Sequence, residues 1–442
     1  MVDVVIRGGT VVTADGRREA DVAIEGGRIV DVAPAVSSGR TEIDARGLCV
    51  LPGLIDVHLH FNEPGRTDWE GAATGSRALA AGGGTLFFDM PLNSTPCTIN
   101  AREVDRKRAA LEASSITDFA LWGGLVPGSV GDMAGMAAGG VIGFKAFMSN
   151  SGLPEFPRAD DLTLLDGLRE AARLGLPVAV HAESEELTRG LAERMTSRTA
   201  RAFLDSRPVL AELEAIQRAL LLAREARAKL HIVHVSSGRG VAMAAEARTH
   251  GVDVSIETCP HYLFFTEDDV ERLGAVAKCA PPLRSPEVQH ALWEALLHGQ
   301  VDVIASDHSP APPSMKGGEF MSAWGGIAGV QSTLAVLLEK GYHERQLPLE
   351  RVVALVATEP ARRFSIPAKG SLQPGHDADI VLVDLDARFT LAAAHLHQRH
   401  RMSPYLGSSF RGAVRRTIRR GETIFVDGQI TVSGGGALVR PR

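Results

Sequence analysis

Cysteine, aromatic residues and excess charge are all scarce in this chain of 442 residues. The four cysteines lie far apart and form no CxxC pair, which argues against a disulfide framework and suits a reducing cytosol. A formal net charge of -6 gives no sign of a nucleic-acid or anionic-membrane partner. Since the start, MVDVVIRGGT, also lacks the apolar core of a signal peptide, we expect a cytoplasmic protein.

Long hydrophobic runs and several common motifs are missing as well. The longest uncharged stretch, 320–338, contains glutamine, serine, threonine and glycine, so it predicts a loop and a buried helix rather than a membrane span. No GxGxxG follows the first central strand, which disfavours an open dinucleotide-binding sheet. No GxSxG marks a serine nucleophile.

The middle of the chain alternates apolar segments with helical stretches rich in Ala, Leu, Glu and Arg. Eight strands alternating with helices predict an α/β protein with a (β/α)₈ barrel, and an open doubly wound sheet is the alternative. The predicted strands are 52–58, 85–90, 118–126, 141–147, 176–182, 229–235, 252–258 and 301–306.

Both ends of the chain have a different pattern, with short alternating strands and glycine-rich turns. We therefore expect residues 1–50 and 370–442 to form one small β-sandwich domain. Residues 51–369 would then form the catalytic barrel.

The first central strand ends in GLIDVHLHFNEPG, which places two histidines two residues apart. Residues i and i+2 of a strand face the same side, so His58 and His60 project together at the carboxyl end, where barrels carry their active sites. A second HLH, at His395 and His397, follows no apolar strand. We interpret that pair as part of a solvated helix or loop.

Other predicted strands also end in ionisable residues. Each would cost several kcal/mol if it were buried without a partner, and a shared pair of cations would satisfy all of them. The residues are Lys145 in GFKAFM, His181 in VHAES, His231 and His234 in HIVHVSS, and Asp307 and His308 in SDHSP.

These five motifs, in this order, resemble the cyclic amidohydrolases of the amidohydrolase superfamily, which include dihydroorotases, hydantoinases or dihydropyrimidinases, and allantoinases. The resemblance implies that His58 and His60 bind the more buried of two divalent metal ions, and that His181 and His234 bind the second. It implies that Lys145, carboxylated by CO₂ to N6-carboxylysine, bridges both ions. Asp307 would bind the first ion and carry the proton. Zinc is the expected metal, with cobalt, manganese and iron as alternatives.

Residues outside the metal set bear on the substrate. Dihydroorotases typically have Arg where this chain has Asn62, and hydantoinases usually have Tyr where it has Asn150. The loops NEPGRTDWEG, DMPLNSTP, ETCPHYL, KCAPPLR and AWGGIAGVQ resemble those of allantoinases.

The allantoinase resemblance implies hydrolysis of (S)-allantoin to allantoate in purine catabolism, by a homotetramer. Asn62, Asn93 and Ser309 are the candidate substrate-binding residues, and MKGGEF is a candidate lid. A hydantoinase- or dihydropyrimidinase-like enzyme is the second hypothesis. A non-catalytic scaffold that has lost its metal ligands is the third, and the six intact ligand positions argue against it.

Overall fold

Parallel strands run through the middle of the chain and are buried almost throughout. The structure is a computed structural model that describes residues 1–442. Each of the eight predicted strand segments overlaps an observed strand. In chain order these are β6 (Leu54–Leu59), β7 (Gly84–Asp89), β8 (Asp118–Leu121) with its continuation β9 (Gly123–Gly124), β10 (Phe144–Phe147), β11 (Val178–His181), β12 (Leu230–Ile232), β13 (Val254–Thr258) and β14 (Val303–Ile304).

Two parallel sheets, ordered β6-β7-β8 and β9-β10-β11-β12-β13-β14, make up the barrel. They are continuous from β8 into β9, and the ring closes where Leu59 pairs with His308. All carboxyl ends of the strands therefore meet at one face of the molecule. The predicted (β/α)₈ barrel is confirmed.

Helices connect the strands and cover their outer side. Their ends follow local sequence signals: the Asn100 side chain accepts a hydrogen bond from the Glu103 amide at the start of the helix Ala101–Ser114, and Gly175 ends the helix Asp161–Leu174 with φ of 73°. The α-helices are α1 (Ala72–Ala81), α2 (Ala101–Ser114), α3 (Met133–Gly139), α4 (Asp161–Leu174), α5 (Glu185–Arg194), α6 (Ala200–Asp205), α7 (Val209–Ala226), α8 (Gly238–Thr249), α9 (Pro260–Phe264), α10 (Glu267–Leu273), α11 (Pro286–Leu297), α12 (Thr333–Val336), α13 (Leu349–Val353) and α14 (Glu359–Arg363).

Short 3-10 turns lie at Val130–Asp132, Gly274–Ala277, Pro313–Lys316, Val330–Ser332 and Ala393–His395, and π-helical turns lie at Leu337–His343 and Ala354–Thr358. None of the helices combines the length and the apolar character needed to cross a bilayer.

The barrel interior is filled with large side chains. Trp122 donates its indole N–H to the Val57 carbonyl at 2.9 Å, and its ring meets that of Phe364 edge-on with 5.3 Å between centroids. Phe364 comes from the segment after the last barrel strand and also contacts Phe88. This packing leaves no open pore and supports the strand ends from below.

The two chain ends form one nine-stranded sheet. It folds over its own apolar core, which includes Ile6, Val22, Ile29 and Ile380, and the predicted terminal β-sandwich is confirmed. The domain boundaries stay a prediction. The strands are β1 (Val2–Thr13), β2 (Gly16–Glu25), β3 (Arg28–Ala33), β4 (Gly39–Asp44), β5 (Cys49–Pro52), β15 (Ile380–Thr390), β16 (Ser409–Arg419), β17 (Glu422–Val426) and β18 (Gln429–Ile430). Their order in the sheet is β18-β17-β16-β15-β5-β1-β2-β3, and β4 pairs with β1.

A buried charge cluster joins the terminal sheet to the barrel. The Lys369 ammonium lies 2.8 Å from Asp118 Oδ2 of β8 and 2.6 Å from Asp379 Oδ2, with Asp377 Oδ2 at 3.0 Å. Burial opposes the charge on Lys369, but the three carboxylates outweigh it and raise the pKa of the ammonium. The ammonium is therefore the cation that Asp118, Asp377 and Asp379 share, and two of these carboxylates, Asp118 and Asp379, are buried.

Lys369→Met should lower the free energy of unfolding by about 3–5 kcal/mol, because buried carboxylates lose their shared cation. Denaturant titration monitored by circular dichroism measures this loss. The control is Lys340→Met, which removes a partly exposed pair with Glu344 and should change stability by less than about 1 kcal/mol. Equal stability of both variants would contradict the structural role of Lys369.

Candidate metal centre and substrate cavity

Two histidines and one aspartate converge at the carboxyl face of the barrel. His58 and His60 come from the end of β6, and Asp307 follows β14. Asp307 Oδ1 lies 3.3 Å from His58 Nε2 and 3.5 Å from His60 Nε2. One possible ligand atom from each residue lies within 4.8 Å of those of the other two, so the group can hold a metal ion.

Two more histidines extend this group along the same face. The His234 ring lies 5.4 Å from that of His58, and the His181 ring lies 4.6 Å from that of His234. Both are buried, and each follows or ends a different strand. The four predicted histidines therefore form one continuous row of imidazoles.

Lys145 points into the same region from β10. Its side chain is fully buried, and its amine has no hydrogen-bond partner. Burial lowers the pKa of the amine to about 8, although Glu257 and Asp307 partly counteract this. Few buried amines in proteins lack a partner, so Lys145 is a candidate for a modification or for contact with a ligand.

The orientation of His58 depends on Glu257, a residue that the sequence pattern did not single out. His58 Nδ1 lies 2.7 Å from Glu257 Oε1, and His231 Nε2 lies 3.0 Å from the other carboxylate oxygen. The His234 backbone N–H also donates to Glu257 Oε1 at 3.1 Å. When His58 Nδ1–H donates to Glu257, the unprotonated Nε2 of His58 faces Asp307.

A second carboxylate orients His181 in the same manner. His181 Nε2 lies 2.9 Å from Glu183 Oε2, which also accepts a hydrogen bond from Arg207 at 2.5 Å. This leaves His181 Nδ1 as the nitrogen available to a metal. Burial disfavours ionisation of Glu183, but Arg207 and His181 outweigh it and lower its pKa to about 2.

Burial favours the neutral form of His60, His181 and His234, which is the form that metals require. It lowers the pKa of His60 and His181, and that of His234 falls well below the ordinary value because His181 and Lys145 add to the effect. Glu257 behaves oppositely: burial opposes its ionisation, but His58 and His231 lower its pKa to about 2. The site thus pairs neutral nitrogen ligands with ionised carboxylates.

Four predicted site residues have left-handed backbone conformations. The φ angles are 62° at Asn62, 69° at Asn93, 41° at His234 and 43° at Asp307. Positive φ is uncommon for residues other than glycine, although asparagine, aspartate and histidine adopt it more often than the rest, and such backbone clusters at functional sites. This conformation redirects the chain just where each strand ends.

A cavity of about 400 Å³ opens above the imidazole row. His58, His60, His181, His234 and Asp307 form its base. This volume is within the range that small-molecule sites have.

Two of the three predicted substrate-binding residues, Asn93 and Ser309, line this cavity. Asn62 does not line it. The Asn62 side chain is 1% exposed, donates to the Pro310 carbonyl at 3.4 Å and leaves its own oxygen without a partner. Contact between Asn62 and a substrate stays a prediction.

Three other histidines that the sequence analysis names, His308, His395 and His397, do not belong to the imidazole row. The His308 Nδ1 accepts a hydrogen bond from the Gly329 amide, so this ring points away from the imidazole row. His395 is exposed and His397 half-buried, and neither lines the cavity above the metal group. The HLH motif that ends an apolar strand thus lies at the cavity, and the HLH motif that follows no strand lies outside it.

Glu257→Gln should weaken metal binding about 10- to 100-fold, because the amide cannot hold His58 and His231 through two acceptor oxygens. Competition with a chelator of known affinity measures the change. Glu193→Gln, an exposed change on α5, serves as the control. Unchanged metal affinity in the Glu257 variant would show that the carboxylate does not orient the ligand.

Comparison with known proteins places this arrangement in a family. The chain matches the amidohydrolase family over residues 49–424. It is 65% identical to a protein described as an allantoinase from Solibacter usitatus, covering 100% of this chain and 98% of that protein. A protein with the same description from Rubrobacter xylanophilus is 57% identical, again over 100% of this chain and 98% of the relative.

The solved structure of an L-hydantoinase (dihydropyrimidinase) from Arthrobacter aurescens superposes with a TM-score of 0.97 at 34% identity, covering 100% of both chains. Fold, full-length similarity and the His-His-Asp metal site agree with one another. This chain belongs to the amidohydrolase family, and its similarity extends over the whole length of relatives described as allantoinases.

Proposed function

We propose that this protein is an allantoinase, which hydrolyses the ring amide of (S)-allantoin to give allantoate. The observation that carries the proposal is its end-to-end similarity to relatives described as allantoinases. The geometry supports the reaction class, because histidine and carboxylate ligands lie at the base of a cavity of small-molecule size.

The residues of the site fit two divalent metal ions. His58, His60 and Asp307 would hold one ion, His181 and His234 would hold the other, and zinc is the expected metal. Lys145 would bridge them as a carbamate, formed when its neutral amine adds to CO₂ and releases a proton. The unpartnered, fully buried Lys145 amine supports this assignment, since a two-oxygen anion would resolve its isolation. Such ions supply Lewis-acid polarisation of the amide carbonyl and activation of water at neutral pH.

Asp307 is the proposed proton carrier. It lies at the base of the cavity, and although burial disfavours its ionisation, His58 and His60 outweigh that effect and hold its pKa well below the ordinary range. It therefore begins the reaction as a carboxylate. It accepts one proton from the attacking water and returns it to the ring nitrogen as the carbon–nitrogen bond breaks; the new carboxylic acid then loses the second proton to solvent and becomes the carboxylate product.

The side chains around the cavity suit an uncharged ring. Arg66 pairs with Glu155 at 2.5 Å and does not line the cavity. The two cationic side chains on the lining already have partners: Arg207 donates to Glu183, and Lys278 donates to backbone carbonyls. A substrate carboxylate, as in dihydroorotate, would therefore compete with existing contacts, whereas allantoin offers only neutral N–H and C=O groups.

A hydantoinase-like activity is the second candidate, favoured by the close superposition on an L-hydantoinase. The Asn150 position argues against it. This residue replaces the tyrosine usual in hydantoinases, and its side-chain oxygen accepts the Gly152 amide at 2.9 Å within its own loop. Asn150 lines the cavity but has no phenol to offer a developing oxyanion.

The test is ring opening of racemic allantoin by metal-loaded protein, followed by NMR beside hydantoin, dihydrouracil and dihydroorotate. We expect allantoate from one allantoin enantiomer and little product from the other rings. Faster turnover of hydantoin or dihydrouracil would retain the metal chemistry and overturn the substrate. No turnover of any ring by protein with full metal content would overturn the enzyme class.

Lys145→Ala should lose most of the bound metal and all detectable turnover, because it removes the proposed bridge. Metal content is measured by inductively coupled plasma mass spectrometry after metal-replete expression. The paired change His395→Ala with His397→Ala is the control, since it removes two histidines outside the site and should leave both metal and turnover unchanged. Wild-type metal content in the Lys145 variant would contradict the carbamate.

A further inference from the structure

One wall of the cavity is a surface segment without regular structure, residues 320–326, called here the strap. Its last six residues, Met321 to Gly326, all line the cavity. Gly326 has φ of 117°, and a Cβ there would lie 2.2 Å from the Ser309 carbonyl oxygen. The strap therefore lies directly against a cavity residue, and its position affects the shape of the site.

Two lysine ammonium groups hold the strap from beneath. Lys278 Nζ donates to the carbonyls of Phe320, Met321 and Ala323, at 2.7, 3.1 and 2.6 Å. All three N–H donors of this ammonium are thus in use. Its cation also lies 4.7 Å from the Phe203 ring centre and 5.3 Å from that of Phe320.

Lys316 completes the attachment from the other side. Its ammonium donates to Trp324 O at 3.0 Å, to Gly326 O at 2.6 Å and to Ala275 O at 3.2 Å. Together the two lysines bind five of the seven strap carbonyls. The Gly326 amide in turn donates to the Lys278 carbonyl at 2.7 Å, which connects the strap to the neighbouring cavity residues Cys279 and Ala280.

Holding a segment in this way is costly, which argues that the position of the strap matters. Neither ammonium has a carboxylate partner, and Lys278 is only 5% exposed. Burial lowers the pKa of Lys278 to about 8 and that of Lys316 to about 7, the nearby Lys278 adding to the effect on Lys316. A surface loop without a precise role would gain nothing from two mutually repelling cations, one buried and one partly buried, that lack carboxylate partners.

We propose that Lys278 and Lys316 are positioning residues whose ammonium groups fix the strap as the substrate-facing wall of the cavity. They act through the strap and not on the reacting atoms, since their donors are occupied by carbonyls and neither lysine belongs to the metal group. Their loss is therefore expected to weaken substrate binding more than the chemical step. The kinetic part of this inference rests on the proposed function, and the structural part does not.

The experiment compares Lys278→Met and Lys316→Met with wild type by amide hydrogen exchange, metal analysis and kinetics on allantoin. Five strap amides, from Met321 to Trp324 and Gly326, are hydrogen-bonded, so their exchange reports the attachment. Lys229→Met is the matched control, because that ammonium donates to a single exposed carbonyl, Gly175 O.

We expect strap amides to exchange about tenfold faster or more in both variants, with the metal content and the barrel-strand exchange of wild type. KM for allantoin should rise about tenfold while kcat changes less than about threefold. If a methionine variant folds poorly, Lys316→Gln replaces it, since glutamine retains a hydrogen-bond donor without the charge. Its strap exchange rate and its KM should then lie between those of wild type and those expected for Lys316→Met.

Unchanged strap exchange in the variants would overturn the proposal, whatever the kinetics. Faster exchange with wild-type KM would overturn the positioning role, and so would a loss of kcat alone. If wild type opens no allantoin while the strap still loosens in both variants, the proposed function fails and the attachment of the strap by the lysines stands.

Discussion

Burial of four imidazoles and one amine at the carboxyl end of a closed barrel is the constraint on which the rest of the site depends. Imidazole and ammonium groups without partners are expensive in the interior, and the barrel offers them few protein partners. Parallel strands bring these residues together whether or not their mutual contacts are favourable. A metal centre would compensate for this cost, so an arrangement that is unfavourable in the protein alone favours binding of cations.

The carboxylates below the row determine which nitrogen each histidine can offer. Glu257 accepts a hydrogen bond from His58 Nδ1, and Glu183 accepts one from His181 Nε2, so the two histidines present opposite nitrogens to the cavity. Left-handed backbone at His234 and Asp307 turns those two side chains inward. Hydrogen bonding and local strain thus preorganise the ligands before any ion binds.

The barrel strands and the histidine pair at the end of the first one could be predicted from the sequence, because their signals are local. The spacing of His58 and His60 determines that they share a face, and each of the eight apolar segments overlaps an observed strand. Glu257 escaped notice because its partner is 199 residues away, and no local pattern connects a carboxylate on one strand with a histidine on another. Lys278 and Lys316 lie in loops that the sequence does single out, KCAPPLR and MKGGEF, but their role could not be predicted because their partners are backbone carbonyls, which carry no sequence signature. The motif predicts that Asn62 contacts the substrate; in the structure its side chain is buried and does not line the cavity, and the contact stays a prediction.

Different interactions hold the base of the cavity and its outer wall, and each kind suits what that part of the cavity has to position. At the base, strand ends and buried carboxylates hold the ligands, because misplaced metal ligands lose coordination geometry quickly. At the outer wall, the strap has no regular secondary structure, and lysine-to-carbonyl contacts hold it. A ring substrate in the cavity would lie against this wall. Charge-assisted hydrogen bonds from the two ammonium groups thus give the strap a defined shape that neither a sheet nor a helix supplies.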